Sequence, residues 1–91
     1  MKILFLGDIV GNSGCIAIKN NLSKIIKDNA IDFVIANGEN AAKEGVGITE
    51  NITNELLSCG VDVITTGNHV WDQKETYDFI SKEKRLLRPF N

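Results

Sequence analysis

The chain has 91 residues, of which 43% are hydrophobic, so it can build one small domain with a modest core. Its formal net charge of −2 provides no basic field, and the composition offers no support for a nucleic-acid surface built on phosphate contacts. The apolar stretch at the N-terminus is interrupted by Asp8 and is too short for a signal-peptide core or a membrane span.

The first half of the chain predicts two strands separated by a helix. Residues 2–6 form a nearly continuous apolar run that ends at Gly7, the pattern of a strand buried on both faces. From residue 13 or 14 to residue 29, apolar residues recur at three- and four-residue steps and predict an amphipathic helix; they are Cys15, Ile18, Leu22, Ile25 and Ile26. Residues 32–37 repeat the strand signal.

The middle of the chain predicts a loop, a helix and a third strand. The loop, residues 38–48, is long for a strand-to-helix connection, which suggests a functional role. Thr49 is a favourable N-cap for the next helix, and Gly60 is a favourable residue to end it. Residues 61–65 are the third strand.

The last part of the chain predicts a third helix and the start of a fourth strand. Asp72 and Glu75 have the spacing of a capping box and open a helix that carries Phe79 and Ile80 and ends near residue 82. Residues 85–88 begin the fourth strand. Strict alternation of strands and helices predicts an α/β fold with a parallel sheet built from βα repeats.

The two cysteines, Cys15 and Cys59, lie far apart in the chain and lack the short spacing that zinc sites use. Both are typical of small buried residues in a reducing compartment. We therefore expect a cytoplasmic protein with free thiols.

Polar side chains follow each of the first three predicted strands directly after a glycine. They are Asp8, then Glu39 and Asn40, then Asn68 and His69. Because parallel strands end at the same edge of a sheet, these groups are expected to lie close together, where open α/β sheets place their ligands. Carboxylates gathered in this way repel one another unless a cation lies between them. We therefore predict a site for one or two metal ions.

The donor set suits divalent cations such as Mn²⁺, Fe²⁺, Zn²⁺ or Mg²⁺. Asp8 and Glu39 are the predicted anionic ligands, with Glu39 as a bridge between two ions, and Asn40 and Asn68 would bind through their amide oxygens. Two such ions can hold a phosphoryl oxygen and lower the pKa of a shared water. His69, on the turn beside Asn68, would face the substrate and act as a general acid.

Other interpretations of the same residues stay open. An aspartate after a glycine is often only a turn former or a helix cap, and asparagine-rich turns are common for conformational reasons. Gly7, Gly11 and Gly14 also resemble a dinucleotide-binding loop, but their spacing departs from that fingerprint and Asp8 would repel a pyrophosphate. A third alternative is a non-catalytic module that acts as a binding or scaffold domain.

Three segments resemble the calcineurin-like metallophosphoesterases, whose motifs run Asp, then Gly-Asp, then Gly-Asn-His. Val10 stands where that superfamily has a histidine, and Glu39 stands where it has an aspartate. Both departures match a bacterial branch, the YmdB-like phosphodiesterases. The matching segments are Gly7-Asp8-Ile9-Val10-Gly11, Asn37-Gly38-Glu39-Asn40-Ala41-Ala42 and Gly67-Asn68-His69-Val70-Trp71-Asp72.

The resemblance covers essentially all 91 residues and implies the N-terminal part of a metallophosphoesterase α/β sandwich. It implies two divalent metal ions on Asp8, Glu39, Asn40 and Asn68, with His69 as the catalytic acid. The implied substrates are small phosphodiesters, with cyclic nucleotides as the class. The family supplies further histidine ligands from its second half, so residues 1–91 alone are expected to be inactive. An unfinished sheet would also favour association into a homo-oligomer or partial unfolding.

Overall fold

The computed structural model describes residues 1–42, 45, 47–67, 79–80 and 82–88. In this part of the chain, strands and helices follow in the order strand, helix, strand, helix, strand, strand, and most of the predicted third helix lies outside the described residues. The strands are β1 (Ile3–Asp8), β2 (Phe33–Asn37), β3 (Val63–Thr65) and β4 (Leu86–Leu87), and the helices are α1 (Gly11–Asn29) and α2 (Glu50–Ser58). The strands form one sheet in the order β1-β2-β3-β4, and every neighbouring pair is parallel. The predicted α/β fold is therefore confirmed.

The core lies between one face of the sheet and the two helices. Leu4 and Leu6 of β1 pack against a cluster of buried side chains that both helices join. The largest fully buried members of the core are Leu22, Val34, Ile48, Thr53, Leu56 and Ile64. Phe79 and Ile80 are also buried there, whereas Asp72 and Glu75 of the predicted capping box lie outside the described residues.

The prediction that β1 is buried on both faces is wrong. Ile3 and Phe5 are 57% and 61% exposed, while the alternate residues Leu4 and Leu6 pack against the core. Successive side chains of a strand point to opposite faces of the sheet, and the buried cluster of the described residues lies on the face of Leu4 and Leu6. Within the described residues, β1 pairs with a strand on one side only, so its other edge and the Ile3 and Phe5 side chains are open to association there.

Helix α1 begins at Gly11, earlier than the sequence pattern predicts. Val10 occupies the N-cap position without a side-chain hydrogen bond, and the Gly11 N–H instead donates to the carbonyl oxygen of Asn40 at 2.9 Å. Gly11 has φ of 63°, a conformation that favours glycine. Ile25 was expected on the buried face but is 38% exposed. The start of the helix is thus decided by a distant loop rather than by a local cap.

Helix α2 begins and ends as predicted. The Thr49 hydroxyl oxygen accepts a hydrogen bond from the backbone N–H of Ile52 at 3.3 Å, a cap that contributes about 1 kcal/mol. Gly60 follows the last turn with φ of 124°, and a Cβ atom at this position would lie 2.8 Å from the Cδ1 atom of Ile26. A glycine is therefore required where α2 passes α1.

Neither described helix is both long and apolar enough to cross a membrane. Both cysteines are free thiols, as predicted, with Cys15 buried and Cys59 partly buried. The Cys15 thiol donates to the carbonyl oxygen of Ala41, with 3.4 Å between sulfur and oxygen. Burial raises the pKa of both thiols.

We expect the free energy of unfolding to decrease as the pH rises above about 8.5, the ordinary thiol pKa. The unfolded chain releases its thiol protons there, whereas the raised pKa values keep the native thiols protonated. Loss of these protons therefore stabilises the unfolded state relative to the native state. Urea midpoints measured under reducing conditions at neutral and alkaline pH test this expectation. The variant with both Cys15→Ala and Cys59→Ala should lose this part of the pH dependence. If the variant shows the same pH dependence as the wild type, the expectation is contradicted.

Candidate metal centre

The ends of β1 and β2 bring two of the predicted ligand segments together. Asp8 pairs with Asn37 at the end of the β1–β2 ladder, after a register shift between Leu6 and Asp8. Beyond this pair, the Ile9 N–H donates to the Asn37 carbonyl oxygen at 3.0 Å. Asp8 is the last residue of β1, whereas the sequence pattern suggested that it follows the strand.

Asp8 and Asn40 are in direct contact. The side-chain Nδ2 of Asn40 lies 3.2 Å from both carboxylate oxygens of Asp8 and donates to them. The Asn40 Oδ1 atom, by contrast, is buried and has no hydrogen-bond partner among the described residues. A buried amide oxygen without a donor is costly in free energy, and a cation can satisfy it. The predicted proximity of these two residues is therefore confirmed.

Glu39 lies against the third predicted segment. A Cβ atom added to Gly67 would stand 2.5 Å from the Cδ and both carboxylate oxygens of Glu39. The Glu39 carboxylate thus occupies the space that a side chain at position 67 would fill. Gly67 immediately precedes Asn68, which lies outside the described residues together with His69. The placement of Asn68 and His69 stays a prediction.

The loop after β2 is held mainly by main-chain hydrogen bonds. The Gly38 N–H donates to the Thr65 carbonyl oxygen of β3 at 2.9 Å, and the Ala41 N–H donates to Gly38 at 3.1 Å. A Cβ atom at Gly38 would lie 2.8 Å from Ile64 Cγ2, so the chain can pass there only as glycine. These bonds fix the backbone that carries Glu39 and Asn40.

Sequence reasoning missed Asn37 as a residue of this site. Its side-chain Oδ1 accepts a hydrogen bond from the Glu39 N–H at 3.2 Å. The signal in the sequence is an asparagine two residues before the bonded N–H, the spacing of an Asx turn.

The residues present fit a cation bound by oxygen atoms. Hard and borderline divalent ions accept carboxylate and amide oxygens as ligands. The site offers the carboxylates of Asp8 and Glu39, the latter packed against Gly67, and the amide oxygen of Asn40, which has no partner among the described residues. Within the described residues, no three acidic, cysteine or histidine side chains form one cluster. The fit therefore depends on the mixed carboxylate and amide set rather than on a preassembled group of anions.

The family is decided by a match over nearly the whole chain. The family model described as YmdB-like protein matches residues 4–91. The chain belongs to the YmdB-like family. A relative from Bacillus subtilis is named 2',3'-cyclic-nucleotide 2'-phosphodiesterase. It is 47% identical to this YmdB-like chain over all 91 residues of the chain, which cover 34% of the relative's length.

Two solved structures share the fold of this YmdB-like chain. The crystal structure of a novel phosphatase from Mycoplasma pneumoniae is 40% identical with a TM-score of 0.92, and the whole chain covers 32% of it. The crystal structure of a hypothetical protein from Thermus thermophilus is 41% identical with a TM-score of 0.87, and the whole chain covers 34% of it. The chain thus spans about one third of the length of the relatives it matches.

We expect Gly67→Ala to move the Glu39 carboxylate while leaving the fold intact. The new methyl group would overlap the end of a flexible side chain, which can rotate away, so the loss of stability should stay below about 1 kcal/mol. A crystal structure of the variant and a urea midpoint measure the two effects. A Glu39 carboxylate still in contact with residue 67, or a collapse of stability, would contradict the expectation.

Proposed function

We propose that the protein is a metal-dependent phosphodiesterase that hydrolyses small phosphodiesters, with cyclic nucleotides as its substrate class. The observation that carries the proposal is the contact of Asp8 with Asn40 beside a buried amide oxygen that lacks a donor. The membership of the YmdB-like family supports it, as does the name of the B. subtilis relative. The chain spans about one third of the length of this relative, so the activity of the whole protein is part of the proposal.

Asp8, Glu39, Asn40 and Asn68 would hold two divalent cations, of which Mn²⁺, Fe²⁺, Zn²⁺ and Mg²⁺ are the candidates. Such ions supply positive charge for a phosphate group and lower the pKa of an attacking water. Rotation of the Asn40 amide would exchange its nitrogen and oxygen, so that oxygen would face the Asp8 carboxylate. Two oxygens repel each other in this arrangement unless a cation is present, which couples the amide orientation to metal binding.

The protein residues would perform the remaining steps of the reaction. The neutral amides of Asn40 and Asn68 add no negative charge, which leaves the centre able to attract an anionic phosphodiester. His69 would donate a proton to the leaving oxygen as the phosphorus–oxygen bond breaks. The free thiols of Cys15 and Cys59 agree with the cytoplasmic location that we propose for this reaction.

We expect the full-length gene product to hydrolyse bis(p-nitrophenyl) phosphate and 2',3'-cyclic nucleotides only when Mn²⁺ or a similar ion is added. Asp8→Ala and Glu39→Ala should each abolish turnover and lower the bound metal, because each removes an anionic ligand. Phosphate release and metal analysis of protein purified without chelator measure the two effects.

Glu55→Ala is the matched control, since this carboxylate lies on α2 in an exposed ion pair with Lys19. Such a pair contributes little to stability, and the variant should keep both activity and metal. Full activity after prolonged dialysis against EDTA would contradict the proposed metal dependence.

The role of His69 can be separated from metal binding. If His69 donates a proton, His69→Ala should keep the metal and lose about 10²- to 10⁴-fold in rate on nucleoside esters. Nitrophenyl esters should lose less, because their leaving group needs little protonation. Steady-state rates on both substrate types are the measurement, and equal losses on the two would count against general acid catalysis by this residue.

A further inference from the structure

Asn37 contacts both turns that carry the proposed carboxylate ligands. It lies opposite Asp8 in the β1–β2 register, and its carbonyl oxygen accepts from the Ile9 N–H at 3.0 Å. Its side-chain Oδ1 accepts from the Glu39 N–H at 3.2 Å. The backbone of Asn37 thus fixes the end of β1, and its side chain fixes the turn after β2.

The side-chain contact controls the direction in which Glu39 leaves the sheet. An asparagine oxygen bonded to the N–H two residues later closes an Asx turn, which restricts the backbone of the residue between them. That residue is Gly38, which packs against Ile64 with no room for a side chain. The turn therefore sets where the Glu39 carboxylate reaches, and the carboxylate lies on Gly67.

We propose that Asn37 is a positioning residue that sets the separation of the Asp8 and Glu39 carboxylates for metal binding. This inference rests on the proposed metal-dependent function and adds a residue that is not itself a ligand. Partners that orient metal ligands from outside the coordination sphere strongly affect metal affinity. The side-chain acceptor of Asn37, rather than its size, carries the effect.

The test compares Mn²⁺ affinity, measured calorimetrically on the full-length gene product, among variants of this position. Asn37→Ala removes the acceptor and should weaken Mn²⁺ binding about 10- to 100-fold. Asn37→Asp keeps an acceptor oxygen in the same place and should recover most of the affinity. Asn37→Ser offers a neutral hydroxyl acceptor and should recover part of it, which separates the hydrogen bond from an added negative charge.

The matched control is Asn21→Ala on the exposed face of α1. The Asn21 amide donates to the Ala17 carbonyl oxygen at 2.8 Å, so this variant also removes one bond between an asparagine side chain and the main chain. It should bind Mn²⁺ like the wild type. Urea midpoints for all variants show whether any change in affinity comes from unfolding, and if Asn37→Ala does not fold, the comparison of Asn37→Ser with Asn37→Asp decides the question.

The outcomes distinguish this inference from the function on which it rests. A wild-type protein that binds no Mn²⁺ overturns the proposed function. A wild-type protein that binds Mn²⁺ together with an Asn37→Ala variant of equal affinity overturns the positioning role alone. Equal weakening in the Ala, Ser and Asp variants also overturns it, because the acceptor would then be irrelevant.

Discussion

The parallel register of β1, β2 and β3 is the constraint on which the candidate centre depends. Asp8 is opposite Asn37, and Asn37 is opposite Thr65, so the three strands end at one level. A slip of one residue would shift a strand by about 3.3 Å and turn its side chains to the opposite face. The buried residues Val34, Ala36 and Ile64 prevent such a slip, because it would expose them. Core packing therefore determines which polar groups meet at the sheet edge.

Main-chain hydrogen bonds hold the loop after β2 in place, so the path of its backbone does not depend on the side chains proposed to bind metal. Gly38 is tied to Thr65, and Asn40 is tied to Gly11 at the start of α1. None of these bonds uses the side chain of a proposed ligand. Exchanging a ligand side chain therefore leaves these main-chain bonds in place. The bond between Gly11 and Asn40 also explains why α1 starts at Gly11 without a side-chain cap.

The described part of the sheet is covered unequally on its two faces. The helices cover the face of Leu4 and Leu6, and Ile3 and Phe5 on the other face are more than half exposed. The chain spans about one third of its relatives, and the structures it matches contain much more polypeptide than this unit. The metal-site edge of the sheet thus belongs to a small framework whose packing is one-sided within the described residues.

Local patterns in the sequence determined the order of the described strands and helices, the Thr49 cap and the end of α2 at Gly60, and they predicted Asp8, Glu39 and Asn40 as candidate site residues. These features depend on near neighbours in the chain, and periodicity and turn chemistry report them. The tertiary structure decided that the Asn40 amide contacts Asp8, that Glu39 lies on Gly67 and that Asn37 binds the Glu39 turn. It also decided the exposure of Ile3 and Phe5. Strand register across distant parts of the chain sets the relative positions of Asp8, Asn40, Glu39 and Gly67. The bond from Glu39 to Asn37 is local, but it depends on which turn conformation the tightly packed Gly38 permits.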